Sequence, residues 1–339
     1  MSRHHFVICT NSPGELYCWV KPVVDSIRSY APYAHIHLFL LPCQSASGDE
    51  PQVAESWKSF TSIYPSGSFW RFIFSGLKFD GPGTVLFLGG DPFYARLLSI
   101  KSRFQLIGYS EHHSDLGWRF SRTYYRRRDG DLMASNIHAK PVSKQPIRTI
   151  GFLPGSRPKM VEALWPLFLE SITVLHRSLP SLKFVVKVPS RFQIDEASVS
   201  HLPLHFHSGS SSEFYNDVDL SIALVGSNNA EALYYQCPLL VLIPLNRPDL
   251  IIFNGVLGLI GQLPIIGRLL KQLAVYFISK QSKLYSIPNL LLKTSVVPEL
   301  KDTISADFLA QYITSYVKSP SSLYQQVEAF ETYNKTAEK

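Results

Sequence analysis

Short apolar runs bounded by turn residues alternate along this chain with longer stretches of helical period. Phe6–Thr10, His35–Leu41, Thr84–Leu88 and Phe104–Tyr109 read as strands, and Glu15–Tyr30 and a segment from Pro92 towards Ile100 as helices. The strands are apolar at consecutive rather than alternate positions, as in sheets covered on both faces by crossover helices. The segment Ala139–Arg148, with two prolines among polar residues, predicts a linker, after which the pattern restarts. Thr149–Leu153, Phe184–Val188, Pro203–His207, Leu220–Val225 and Leu239–Ile243 predict strands. Pro158–Leu179, Asn228–Gln236, a stretch near Ala306–Val317 and one near Ser321–Thr336 predict helices. The alternation points to two parallel α/β halves, a frequent setting for a nucleotide-using enzyme with a cleft between them.

One segment breaks the pattern. Leu250–Gly267 carries no charge yet is interrupted by glycines and a proline, with Arg268 and Lys271 close behind. For Leu250–Ile278 three readings stay open: a spanning helix, a buried or dimer-packing hairpin, and a hairpin lying in a membrane interface. Composition narrows the rest. With 339 residues, 45% hydrophobic and 17% charged, the chain is too apolar to be disordered and long enough for two cores. Cys9, Cys18, Cys43 and Cys237 form no C-x-x-C pair, which speaks against zinc ribbons and thioredoxin-type chemistry and for buried thiols in a reducing compartment. The opening apolar run is too short for a signal peptide, so a cytoplasmic location is expected. A net charge of +7 favours an acidic partner: nucleic acid, an anionic membrane surface or phosphorylated substrates.

Two strand-to-helix turns carry candidate chemistry. In Leu153-Pro154-Gly155-Ser156-Arg157-Pro158 a strand ends, a small-residue turn follows, and Pro158 stands where the first residue of a helix belongs. Free amides there, beside Arg157, would make an anion site; the plainer alternative is an ordinary turn with a surface arginine. Val225-Gly226-Ser227-Asn228-Asn229-Ala230-Glu231 repeats the design. Its turn could take a diphosphate and Glu231 a ribose; the alternative is a capped helix with an acidic first turn. Ile287-Pro288-Asn289-Leu290 and Val297-Pro298-Glu299-Leu300 are turn-like by themselves. Asp129-Gly130-Asp131 imitates a metal-binding D-x-D but follows Arg126-Arg127-Arg128 rather than an apolar strand, and reads as a charged turn. Those three arginines, with Arg119 and Arg122, form either a solvated face or an attraction for an anionic lipid surface. His112 and His113, beside Glu111, are a polar loop or a source of acceptor deprotonation. No H-E-x-x-H or G-x-S-x-G motif is present, so neither zinc nor serine hydrolysis is supported.

Taken in order, these pieces resemble the lipid-A-disaccharide synthases, glycosyltransferase family 19. Leu153–Arg157 resembles the family's L-P-G-S-R, Val225–Glu231 its S-G-T-x-x-L-E, Cys237–Val241 its C-P-M-V-V, Ser286–Leu290 its S-L-P-N-L and Val297–Leu300 its V-x-E-L. Gly14-Glu15 resembles the start of G-E-x-S-G-D, and Gly117-Trp118-Arg119 stands where W-A-W-R would be. The chain departs where the family's S-G-D becomes Tyr17-Cys18-Trp19 and where the I-D-A-P-D-F-N loop shortens to Gly90-Asp91-Pro92-Phe93-Tyr94.

The resemblance implies a GT-B fold, two Rossmann-like domains facing across a cleft. It sets an acceptor domain at 1–145, a donor domain at 146–318, and a helix at 319–339 crossing back. It implies inverting, metal-independent, cofactor-free transfer of a sugar, of the N-acetylglucosamine type, from a UDP-sugar to a lipid-linked or phosphorylated sugar acceptor. Gly155, Ser156, Arg157, Gly226, Ser227, Asn228, Glu231 and Asn289 would hold the donor. Asp91, with Glu15 as the other carboxylate, would supply the catalytic base, and Gly14, Trp118 and Arg119 would serve the acceptor side. A peripheral position on an anionic membrane face and a homodimer are further expectations, with no nucleic-acid partner. The alternatives are a UDP-N-acetylglucosamine 2-epimerase-like enzyme and a non-catalytic nucleotide-sugar or lipid binder.

Overall fold

The computed structural model describes residues 4–11, 13–42, 48, 50–75, 79–110, 120–134, 137, 146–155, 158–188, 196–247, 250, 280 and 283–337. The chain forms two units, Met1–Ile137 and His138–Lys339.

The first unit holds a six-stranded parallel sheet of β1 (His5–Thr10), β2 (His35–Leu40), β3 (Ser62–Tyr64), β4 (Gly83–Phe87), β5 (Gln105–Ser110) and β6 (Arg122–Tyr125), in the order β3-β2-β1-β4-β5-β6. This 3-2-1-4-5-6 order is that of a dinucleotide-binding Rossmann sheet, which reverses direction between its first and fourth strands. The consecutive apolar residues of the strands divide between two cores, because successive side chains leave a strand on opposite faces. Val7 and Cys9 join Phe69, Phe72, Ala95 and Leu98 on one side; Ile8 joins Leu16, Val20, Val24 and Ala54 on the other. The covering helices are α1 (Pro13–Glu15), which runs through a π-helical turn, Leu16–Val20, into α2 (Lys21–Tyr30), then α3 (Glu50–Ser56), α4 (Phe69–Phe74) and α5 (Pro92–Ser102). The short α6 (Arg126–Asp129) follows β6.

The second unit repeats the plan. β7 (Thr149–Leu153), β8 (Lys183–Lys187), β9 (Leu204–His207), β10 (Leu220–Leu224), β11 (Leu239–Pro244) and β12 (Glu299–Asp302) form a second parallel sheet in the order β12-β11-β10-β7-β8-β9. Counted from β7 this is again 3-2-1-4-5-6. Its helices are α7 (Pro158–Ser178), α8 (Ser211–Asp217), α9 (Ser227–Tyr234), α10 (Ile287–Leu292), α11 (Ala306–Lys318) and α12 (Ser321–Ala337). Phe152, Phe168, Phe184 and Leu240 lie in its core. The last helix is tied into this unit: the Gln326 carboxamide pairs with both backbone groups of Leu239, and Asn334 Nδ2 donates to Tyr234 O at 3.1 Å.

The expected strands form, and β3, β6 and β12, which the hydrophobic pattern does not announce, are all sheet edges. An edge strand keeps fewer neighbours, so polar sequences such as Glu-Leu-Lys-Asp can serve there. Residues 251–279, most of the uncharged stretch, lie outside the described residues.

Candidate functional site

In a doubly wound sheet, ligands bind beyond the carboxyl ends of the strands where the strand order reverses. In the second unit that point lies between β7 and β10, and both predicted turns leave the sheet there. Gly155, two residues past β7, has φ +115°, and a Cβ there would meet the Met160 side chain at 3.0 Å. Both the left-handed backbone and the close approach favour glycine. Ser156 and Arg157 lie outside the described residues.

The turn after β10 is built by Asn229, a residue the motif reading passes over. Its side chain is fully buried; Oδ1 accepts from Gly226 N at 3.1 Å and Nδ2 donates to Leu224 O at 2.9 Å. Asn229 thus closes the loop from inside, while Ser227 is exposed at the helix start. The first amides of a helix have no acceptor within it and carry the positive end of its dipole, so this turn suits an anion. From α8, Tyr215 braces the turn: its hydroxyl donates to Asn228 O at 2.9 Å and its ring stacks on Tyr235.

Glu231 lies one turn further on and is buried. Its Oε1 accepts from Ser211 Oγ at 2.9 Å, and its Oε2 stands 3.8 Å from Lys187 Nζ. Asn289 is also fully buried, and all four hydrogen-bonding functions of its amide go to the protein. Nδ2 donates to Val297 O and Glu299 Oε1, both at 2.8 Å; Oδ1 accepts from Val296 N and Val297 N. Here it works as a bracket joining α10 to β12. Glu299 completes the bracket by accepting from Ser286 N at 2.8 Å.

The first unit has its own reversal point, between β1 and β4. Glu15 Oε2 accepts from Thr10 Oγ1 at 3.1 Å and Asn11 N at 3.2 Å, which holds the carboxylate against the end of β1. Gly89 crosses directly over it: with φ +139°, a Cβ would stand 2.2 Å from Glu15 Oε2. Asp91 follows within two residues, exposed, and caps α5 by accepting from Phe93 N at 2.9 Å through Oδ1. The sequence-predicted Glu15 and Asp91, with Gly14 beside them, therefore follow the carboxyl ends of the central strands β1 and β4. Trp118, Arg119, Glu111, His112 and His113 lie outside the described residues. Trp19, where the family's pattern has an aspartate, packs edge-on against Tyr109.

The arginine run is not a uniformly solvated face. Arg126 does not face solvent: it forms an ion pair with Asp131 at 2.7 Å, the two side chains 7% and 5% exposed. Asp131 Oδ1 also accepts from Met133 N and from the Tyr109 hydroxyl. Burial, and then the Asp131 carboxylate, push the Tyr109 phenol up from its ordinary value. Arg128 donates to Thr123 O and pairs with Asp129, which accepts from Tyr125 N at 2.7 Å. Asp129-Gly130-Asp131 is thus a structural turn. Arg122 and Arg128 remain exposed, and the unit also exposes an aromatic patch. Trp70, Phe74 and Phe93 are 44%, 81% and 51% exposed, and Tyr94 makes ring contacts with Trp70 and Phe93. Trp70 and Phe74 stack on α4, and Phe93 directly follows Pro92 at the start of α5. No helix among the described residues is long and apolar enough to cross a membrane.

Sequence comparison finds likeness to the lipid-A-disaccharide synthases over part of the chain. A family model described as lipid-A-disaccharide synthetase matches residues 134–260, the stretch containing both turns of the second unit. A lipid-A-disaccharide synthase of Psychromonas ingrahamii is 25% identical over 205 residues, covering 53% of this chain and 47% of the relative. One from Pseudomonas putida KT2440 is 28% identical over 192 residues, covering 55% and 44%. The match thus spans about half the length of these relatives. Among solved structures, the glycotransferase of kitacinnamycin superposes with a TM-score of 0.54 at 11% identity, covering 99% of this chain and 96% of that one. A putative UDP-N-acetylglucosamine 2-epimerase from Listeria monocytogenes gives 0.51 at 10% identity, covering 97% and 91%. These likenesses establish the GT-B fold.

Proposed function

Starting from this chain as a divergent relative of the lipid-A-disaccharide synthases, we propose that it is an inverting glycosyltransferase. It moves an N-acetylglucosamine-type sugar from UDP to a lipid-linked or phosphorylated sugar acceptor, as in lipid A disaccharide formation. The observation that carries the reading is the reversal point of the second sheet. There the Gly155 turn and the Asn229-locked turn emerge side by side from β7 and β10, inside the stretch matched by the family model. The α9 amides and Arg157 would hold the diphosphate and neutralise the charge that develops on the leaving group. Glu231 would take the ribose.

In the first unit Asp91 would accept the proton of the acceptor hydroxyl. Its Oδ1 is committed to the helix cap, which fixes the carboxylate, while Oδ2 has no hydrogen bond among the described residues. Glu15 is pinned by Thr10 and Asn11 and would position the loop. A single displacement needs one base and leaving-group stabilisation, with no covalent intermediate. The aromatic patch of Trp70, Phe74 and Phe93, the last of them two residues after Asp91, together with the exposed Arg71, supports a peripheral position on an anionic membrane surface.

Incubation with UDP-sugars and extracted lipid-linked sugars, followed by mass spectrometry, tests the reading. A glycosylated lipid product with release of UDP is expected. Conversion of the UDP-sugar without acceptor would favour an epimerase instead. Binding of UDP with no product from any acceptor would leave a non-catalytic binder.

A further inference from the structure

The second unit contains a network that joins Glu231, the glutamate of the Val225–Glu231 motif, to two residues outside the family motifs, Lys187 and Ser211. Lys187 is the last residue of β8, Ser211 the first of α8, and Glu231 lies on α9. Lys187 Nζ donates to Ser211 Oγ at 2.6 Å, and Ser211 Oγ donates to Glu231 Oε1 at 2.9 Å. The ammonium stands 3.8 Å from Oε2 and 5.7 Å from the centre of the Phe214 ring, which helps fix its stem. Glu231 is 8% exposed, yet Oε2 receives no hydrogen bond among the described residues. An ionised carboxylate buried without donors is costly, and one nearby ammonium beyond hydrogen-bond distance meets only part of its demand. The arrangement therefore fixes one carboxylate oxygen and leaves the other short of a donor.

We propose that Lys187 and Ser211 are positioning residues that hold Glu231 as a reader of a ribose cis-diol, making the second unit selective for a ribonucleotide over its 2′-deoxy counterpart. This rests on the reading of that unit as the nucleotide-sugar half. Ser211 occupies Oε1 and so fixes the carboxylate plane. Lys187 keeps Ser211 oriented as a donor toward Glu231, since an ammonium has no lone pair and can only donate to the hydroxyl. It also supplies the positive charge that makes an anionic acceptor tenable at this depth. A sugar hydroxyl brings the donor that Oε2 lacks; a deoxy sugar leaves it unsatisfied. Loss of a hydrogen bond to a charged group in a desolvated site is worth about tenfold or more in affinity.

The test is calorimetric titration of the full chain with UDP and with 2′-deoxy-UDP. The unchanged protein should prefer UDP by about tenfold or more. Lys187→Met removes the ammonium but keeps the stem, and should compress that preference mainly by weakening UDP; Lys187→Arg should restore part of it. Ser211→Ala should compress it as well, and serves as the second route should Lys187→Met unfold on thermal melting. Equal weakening of both nucleotides, or an unaltered preference in both Lys187→Met and Ser211→Ala, would overturn the proposal and leave the donor reading standing. Failure of the unchanged protein to bind either nucleotide would overturn the donor reading and this proposal with it.

Discussion

Asn229→Ala removes the side chain that locks the turn between β10 and α9. In the structure this fully buried amide makes two hydrogen bonds to the backbone, accepting from Gly226 N at 3.1 Å and donating to Leu224 O at 2.9 Å. Alanine fills neither role, so one backbone donor and one acceptor lose their partners. Each such group costs about 1–3 kcal/mol if it stays dry, and one of the two can rehydrate because Gly226 is only half-buried. A total of about 1–3 kcal/mol follows. With a urea dependence of about 2 kcal/mol per molar, the unfolding midpoint of the second unit should fall by about 0.5–1.5 M. The same substitution frees the turn that would seat the diphosphate, so UDP affinity by calorimetry should fall about tenfold or more. Asn228→Ala is the internal comparison. Asn228 uses its backbone carbonyl, which accepts from Tyr215, and that contact survives truncation of the side chain. A midpoint shift below about 0.3 M for Asn229→Ala, or equal shifts for the two variants, would refute the assignment of Asn229 as the lock.

Three further outcomes are expected. Asp91→Asn should retain UDP binding and an intact α5 cap, because the amide oxygen can still accept from Phe93 N, while transfer drops about 10²–10⁴-fold; near-normal transfer would move the base to another residue. Burial, and then His5 and His35 nearby, push the His37 imidazole from 6.5 down to about 4. The unfolded chain therefore binds the extra proton first, and stability should be full above pH 6.5 and lost as pH falls towards 4, by up to about 2–3 kcal/mol. His37→Phe should flatten this slope in urea unfolding across that window, and an unchanged slope would contradict the linkage. Trp70→Ser with Phe74→Ser should reduce sedimentation with phosphatidylglycerol vesicles about tenfold or more at high salt, since each ring withdrawn from water is worth up to about 1.5–3 kcal/mol; unchanged sedimentation would place any lipid contact elsewhere on the chain.

Most of the architecture, and the two turns to which the donor site is assigned by proposal, are legible in the sequence. The mostly apolar runs Phe6–Thr10 and Leu220–Leu224, short and bounded by turn residues, suit strands buried on both faces, and alternation with helical stretches leaves a parallel sheet as the economical arrangement. The Gly155 and Gly226 turns stood out because small residues at a strand end followed by a helix start leave a local imprint. Edge strands β3, β6 and β12 were less legible, since one missing neighbour relaxes the demand for apolar residues.

Which polar groups meet across the chain becomes visible only once it has folded. Arg126 looks like its neighbours in an arginine run, yet it is buried on Asp131, five residues on. Asn289 looks like a ligand contact within its motif, yet Val296, Val297 and Glu299 use its whole amide. Lys187, Ser211 and Glu231 are separated by 24 and 20 residues and converge only because β8 ends where α8 begins and where the first turns of α9 pass. Hydrophobic periodicity is a local property that burial writes directly into the sequence. A hydrogen-bond network depends on which strand lies beside which, and that is fixed by the packing of the whole unit.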